Sequence, residues 1–313
     1  MTSPRPEAPV PVSGRQVELV AGDLRATVVE VGGGVRSFTR AAFPVLDGYE
    51  LDEMATVAQG QALMPWPNRL ADGQYEFAGR SHQLPLTEPA KHNAIHGLTR
   101  WANWQLDEHE PSRAVLSLLL HPHAGYPFAL ALQTEYTLDA EGLTVRSAAR
   151  NIGREAAPYG AGFHPYLTAG TEKVDSARLR VPATTRLELD ERGIPTGQRL
   201  ALDGGEDDFR MPRPIGPTKL DTAFGDLLRD ADGRARVRLE HPDDGMAVTL
   251  WLDEAYRYVM AFTGDDLPDP ARRRRSLGIE PMTCPPNALQ TGRDVRTLEP
   301  GQEFVAEWGI TLA

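Results

Sequence analysis

Five polar residues sit in proline- and glycine-rich surroundings spread along the chain: Arg69 in "MPWPNRL", His96 in "NAIHGLTRW", His164 in "GFHPYL", Asp221 in "KLDTAF" and Glu280 in "GIEPMTCPPNAL". These are the side-chain types that move protons near neutral pH or hold polar ligands by directional hydrogen bonds. Singly, each is ordinary. A lone histidine is more often a satisfied structural residue, and a lone Arg or Asp more often an ion pair or a surface group. Pro165 biases His164 away from the helical region, so its imidazole is expected to project from a strand end into a cleft, with Gly160 and Gly162 making room around it. Other spacings point to weaker chemistry. His92 and His96 in "HNAIH" are four apart, but Asn93 stands where a zinc protease carries glutamate. His121 and His123 in "HPH" read as solvated loop residues, and Cys284 has no base beside it in sequence. No metal site is expected, and neither a G-x-S-x-G elbow nor a P-loop lysine motif is present.

The elements that must position these residues are strands. In "ALALQTEYTL", Leu130, Leu132, Tyr136 and Leu138 share a face with Thr134, while Gln133, Glu135 and Thr137 take the other. "DAEG" then turns the chain, and Leu143 and Val145 resume the alternation, which predicts an antiparallel hairpin. The same scheme predicts strands through Val237 and Leu239, through Met246, Val248, Leu250 and Leu252, through Tyr256, Tyr258, Met260 and Phe262, and through Phe304, Ala306, Trp308 and Ile310. "VVEVGGGVRSF" lacks a glycine at Ser37 and a following helix, so it reads as a glycine hairpin or bulge rather than a dinucleotide loop. With 26 prolines, 29 glycines and few amphipathic helical patterns, the chain is expected to be all-β, a large antiparallel β-sandwich. The stretch "LDGGEDDFRMPRPIGPTKLD" is expected to be a long loop across one domain at 14–313, preceded by a flexible proline-rich leader at 1–13.

In order along the chain, "PNRL", "AIHGLTRW", "GYPF", "GFHPYL" and "IEPMTCPPNA" resemble the aldose 1-epimerase, or galactose mutarotase-like, family. The resemblance runs from "VELVAGDLRATVVEVGGGVRSF" to "EFVAEWGITL", and "HGLTRW" is similar to a bacterial subgroup. It implies a large antiparallel sandwich that interconverts the α and β anomers of a free or anionic hexose without metal or cofactor. By the same resemblance, Glu280 is the base for the anomeric hydroxyl and His164 the acid for the ring oxygen. Arg69, His96 and Asp221 then hold the sugar hydroxyls. An ionised carboxylate beside a protonated imidazole is the expected resting state. Trp66, Trp101 and Tyr166 are either sugar platforms or core, with core preferred for the two tryptophans. The alternative is a noncatalytic carbohydrate-binding or sugar-sensing sandwich, which needs Arg69 and His96 but no acid–base pair.

The resemblance implies a small-molecule sugar as partner, and composition argues against nucleic acid and membrane. The net charge of −11, from 33 Lys and Arg against 44 Asp and Glu, opposes nucleic acid, with Arg272 to Arg275 the one basic run. That run is a solvated loop or, if it faces the site, a reason to expect an anionic sugar. No apolar stretch is long enough to span a bilayer. Three prolines among the first nine residues argue against a secretory signal, and a single cysteine agrees with a reducing compartment, so a cytoplasmic protein is expected. The oligomeric state is left open.

Overall fold

Alternation in the sequence becomes alternation in burial along Leu130–Leu138, where residues 130, 132, 134, 136 and 138 are buried and those between are half-buried. This strand pairs antiparallel with Gly142–Asn151, Leu138 opposite Leu143, as the turn at 139–142 predicts. The computed structural model describes residues 11–313, so the first ten residues of the leader lie outside it.

The hairpin forms part of a nine-stranded sheet. In spatial order its strands are Gln105–Glu110, Arg113–Leu120, Leu130–Leu138, Gly142–Asn151, Glu303–Leu312, Ala247–Leu252, Ala235–Glu240, Arg178–Arg180 and Arg213–Pro214. A second sheet runs Pro195–Ala201, Ala183–Leu189, Asp221–Leu227, Tyr258–Phe262, Leu277–Met282, Gly162–Phe163 and Ala62–Leu63, with Tyr166–Leu167 also paired to Leu277–Met282. Neighbours in both sheets pair antiparallel, so the expected sandwich is the observed fold. One hydrophobic cluster draws on both sheets. Phe163 of the second sheet meets Trp308 of the first with ring centroids 5.2 Å apart.

Helix is confined, among the described residues, to Ala288–Thr291 and two short 3-10 turns, and no helix is long and apolar enough to cross a membrane. The triple glycine connects Leu24–Val29 to Gly34–Arg40 as a tight hairpin. Gly33 has φ of 54°, and a Cβ there would fall 2.6 Å from the Trp104 ring. Residues 202–220 form the expected long loop, pinned by buried Phe209 and Ile215, and lend Arg213–Pro214 to the edge of the nine-stranded sheet.

Tyr258–Phe262 departs from the simple alternation. Val259 and Ala261 join the main core, while Tyr258 and Met260 pack with Leu187, Ala223 and Met282 in a second cluster. Both faces of this strand are covered, so alternation marks a strand there without revealing which face is inward.

Trp308 is fully buried between Val145 and Leu252 on adjacent strands. Trp308→Ala should lower unfolding free energy by about 3–5 kcal/mol, measured by urea denaturation.

Candidate active site

Leu277–Met282 is buried along its whole length and lies beside Tyr258–Phe262, with Glu280 opposite Met260. On its other side the partner strand is interrupted. Gly162 pairs with Met282 and Tyr166 with Gly278, while His164 and Pro165 between them leave the regular ladder. The Pro165 carbonyl accepts from Ile279 N at 3.0 Å, and the backbone of His164 bonds instead to residues 60 and 61. This break turns the imidazole toward Glu280, with His164 Nε2 3.3 Å from Glu280 Oε1. Gly160 and Gly162 make room, though not for the imidazole. A Cβ at 160 would lie 2.4 Å from Cys284 Sγ, and one at 162 would lie 2.7 Å from Pro67.

A two-stranded ladder positions two more of the five residues. Arg69–Ala71 pairs with Asn93–Ile95, placing Arg69 opposite Ile95 and His96 at the ladder's end. Asn68 and His96 both adopt left-handed backbone, φ 56° and 62°, a costly conformation for residues with a side chain. The geometry is over-determined: His96 N donates to Asn68 O at 3.0 Å, and Asn68 N donates to His96 Nδ1 at 3.3 Å. With Nδ1 accepting, the neutral imidazole carries its proton on Nε2. Its ring meets the edge of His164, centroids 5.3 Å apart.

Arg69 is held by two carboxylates. Its Nε donates to Glu88 at 3.0 Å and its Nη1 to Asp221 at 3.2 Å. Asn93 Nδ2 in turn donates to Glu88 at 2.9 Å. The structure therefore brings all five residues into one constellation, with Asp221 its more exposed member. Tyr166 stacks on His164 at 4.7 Å and donates to Val57 O at 3.1 Å, which makes it a wall of the site. Trp66 is core, whereas Trp101 is about half exposed, contrary to expectation.

Electrostatics reverse the expected resting state. Burial, then the Arg100 charge, pushes His164 down to about 3. Burial, then the Asp221 charge, pushes Glu280 up to about 8, against the opposing pull of Arg69. His96 is also held neutral by burial and by the neighbouring His164. At neutral pH the favoured pair is a protonated carboxyl and a neutral imidazole, because desolvation penalises both charged forms.

His96, His164 and Glu280 bring their ligand atoms within 4.8 Å of one another, a His–His–carboxylate set of the kind zinc uses. His92, the spaced partner considered from sequence, lies outside it, exposed and 2.7 Å from Asp72. His121 and His123 are exposed. Three arginines of the run are neutralised elsewhere, Arg272 by Glu53, Arg274 by Asp175 and Asp265, and Arg275 by Asp47, while Arg273 donates from Nε to Leu267 O at 2.8 Å. Two contributors escaped the sequence reading, Glu88, which had no motif around it, and Arg100, which lay unremarked inside "HGLTRW".

Fold and site together define a β-sandwich protein with a desolvated carboxyl–imidazole pair flanked by polar-ligand groups. The sequence model for the aldose 1-epimerase family matches residues 15–311, and the chain belongs to that family. It is 38% identical over 291 residues to the uncharacterized protein YihR of Escherichia coli (strain K12), covering 93% of this chain and 91% of that one. It is 23% identical to the galactose mutarotase of Bos taurus over 92% of this chain and 88% of the relative. The crystal structure of a GalM/aldose epimerase homologue from C. elegans superposes with a TM-score of 0.85 at 17% identity, covering 96% and 98% of the two chains.

An unfolded glutamate titrates near 4.5 and Glu280 in the fold near 8, so across that window the unfolded chain releases its proton first and stability falls as pH rises. Glu280→Gln removes this penalty. Its melting temperature should exceed that of wild type by more at pH 8 than at pH 5 in thermal scans, and equal differences at the two pH values would contradict the assignment.

Proposed function

We propose that the chain is an aldose 1-epimerase that interconverts the α and β anomers of a hexose in the cytoplasm, as one domain spanning residues 14–313. The observation that carries this reading is the buried 3.3 Å contact between His164 and Glu280. A sandwich that only binds sugar has no need to bury a carboxyl and an imidazole against each other.

The reaction begins from the ion-pair form of the couple. Glu280 takes the proton of the anomeric hydroxyl while His164 gives its proton to the ring oxygen, and the C1–O5 bond breaks to leave the open-chain aldehyde. The pair is then neutral. Rotation about C1–C2 presents the other face of the carbonyl; Glu280 returns its proton to the carbonyl oxygen as His164 takes the proton of the attacking hydroxyl. Burial favours the neutral form of the pair, so it favours the state that accompanies the open chain, the least stable point on the sugar's path. Neutral His96 donates from Nε2 to a sugar oxygen, and Arg69 with Asp221 binds hydroxyls, preorganised by Glu88.

Two-dimensional NMR exchange spectroscopy on reducing hexoses tests this reading. Glu280→Gln and His164→Asn should each lower the exchange rate about 10²–10⁴-fold. Full activity in both variants, or sugar binding without exchange in wild type, would overturn it. The ion-pair and neutral forms hold the same single proton, which is gained a second time only below about pH 3 and lost above about pH 8. kcat/KM should therefore be flat on the acid side of neutrality and fall about tenfold per unit above pH 8. Because side chains carry every proton, exchange should persist after dialysis against EDTA.

A further inference from the structure

Arg69 keeps donors for a ligand, and their aim depends on a hairpin turn far along the chain. Its Nε and Nη2 meet the two oxygens of Glu88 as a fork, at 3.0 and 3.3 Å, and its Nη1 gives one N–H to Asp221 at 3.2 Å. A guanidinium carries five N–H groups, so one on each terminal nitrogen is left for sugar oxygens. The turn is residues 190–194, which joins Ala183–Leu189 to Pro195–Ala201 at the edge of the second sheet. Gly193 in this turn has φ of 76°, and a Cβ on it would lie 2.4 Å from Arg69 Nη1 and 2.9 Å from Cζ. The backbone of the turn therefore packs on the guanidinium itself, and no side chain fits between them. Ala183–Leu189 also pairs with Asp221–Leu227, so the same hairpin runs beside the strand that carries Asp221.

Arg192 ties the turn down. Its Nε donates to Lys91 O at 2.9 Å, and its Nη2 is shared among His92 O at 2.7 Å, Asp72 Oδ1 at 2.9 Å and Asn93 Oδ1 at 3.1 Å. Asn93 answers from Nδ2, donating to Arg192 O at 3.1 Å and to Glu88 at 2.9 Å. All these partners belong to the ladder that carries Arg69: Asp72 follows Arg69–Ala71, and residues 91–93 lead into Asn93–Ile95. The turn holds its own shape without the Arg192 side chain. Asp190 Oδ1 accepts from Arg192 N and from Ile194 N, both at 2.9 Å, and Gly193 N donates to Asp190 O at 2.9 Å. The Arg192 guanidinium therefore acts between two preformed pieces, the turn and the ladder, through bonds in which the donor is charged.

We propose that Arg192 is a positioning residue for the reaction: it latches the 190–194 turn onto the ladder, so that Gly193 and Glu88 together fix the plane in which Arg69 presents its remaining N–H groups to the sugar. The proposal rests on the epimerase reading above. Glu88 holds the guanidinium along one edge and Gly193 covers it from the turn. Released from the second restraint, Arg69 keeps its charge and loses its direction, and direction is what a planar fork contributes to holding a ring against an acid–base pair. Arg192 acts through Arg69 alone, because its side-chain bonds go to the ladder and not to His164 or Glu280.

The test is a double-mutant cycle read by exchange spectroscopy, on whichever of glucose, galactose, mannose and glucose 6-phosphate the wild type turns over fastest. Arg192→Gln should lower kcat/KM about tenfold or more, chiefly through KM, when Arg69 is present. In an Arg69→Lys background, where a point charge has no plane to fix, the same substitution should cost less than about twofold. Arg192→Lys, which can still donate to the carbonyls of residues 91 and 92, should recover part of the loss. Gly193→Ala leaves the Arg192 side chain in place and drives a methyl toward Arg69 Nη1. It should show the same dependence on Arg69, and it supplies the cycle if Arg192→Gln does not fold. Equal losses in the two Arg69 backgrounds would overturn this proposal alone, as would unchanged kcat/KM in Arg192→Gln, and Arg192 would then be a structural tether. Exchange on none of the four sugars in wild type would bring down the epimerase reading with it.

Discussion

A carboxyl and an imidazole, each stripped of water and left facing the other, set the terms for everything around them. With Glu280 and His164 both nearly inaccessible, neither charged form is cheap, and the couple settles into its neutral arrangement. The surrounding groups bias that balance. Asp221 opposes ionisation of the carboxyl, Arg69 favours it, and Arg100 opposes protonation of the imidazole. Glu280 Oε2 and His164 Nδ1 lack hydrogen-bond partners, so little local bonding offsets the cost of burial. Such a couple is sensitive to whatever enters beside it, because a ligand that displaces residual water or adds a dipole moves both members at once.

The frame meets this demand with rigid strands and a few deliberate departures from regularity. Glu280 sits on a strand buried along its length, whereas His164 occupies a break in the neighbouring strand. The break is what lets a side chain of the second sheet leave the alternation and meet its neighbour. At the ladder formed by Arg69–Ala71 and Asn93–Ile95, the left-handed residues Asn68 and His96 are locked by reciprocal hydrogen bonds. Gly97 follows, where a Cβ would come within 2.1 Å of Met64 O. Strain and close approach gather here because the ladder must end abruptly at the site.

Legibility followed the range of the physics. Leu130–Leu138 was readable because one face is buried and the other is not, and that contrast is written in the residue types. Tyr258–Phe262 was readable as a strand but not in its orientation, since both of its faces are covered. The family resemblance picked out five residues that the fold then brings together, which no local spacing could have gathered. The protonation of the pair was not legible, because it depends on desolvation by segments remote in sequence, and the expected ion pair proved to be the disfavoured form. Trp101 misled because an aromatic residue is usually core, and the arginine run because its neutralising carboxylates, Asp47, Glu53, Asp175 and Asp265, lie well outside it in sequence or beyond any local pattern.

Segment 56–61 holds the backbone of His164 at one end and the side chain of Arg100 at the other. A protein whose loops are independent of its reactive groups can be reshaped at the surface without touching them. Here the two are mechanically joined, so a change that displaced the segment would drag the imidazole away from its carboxyl.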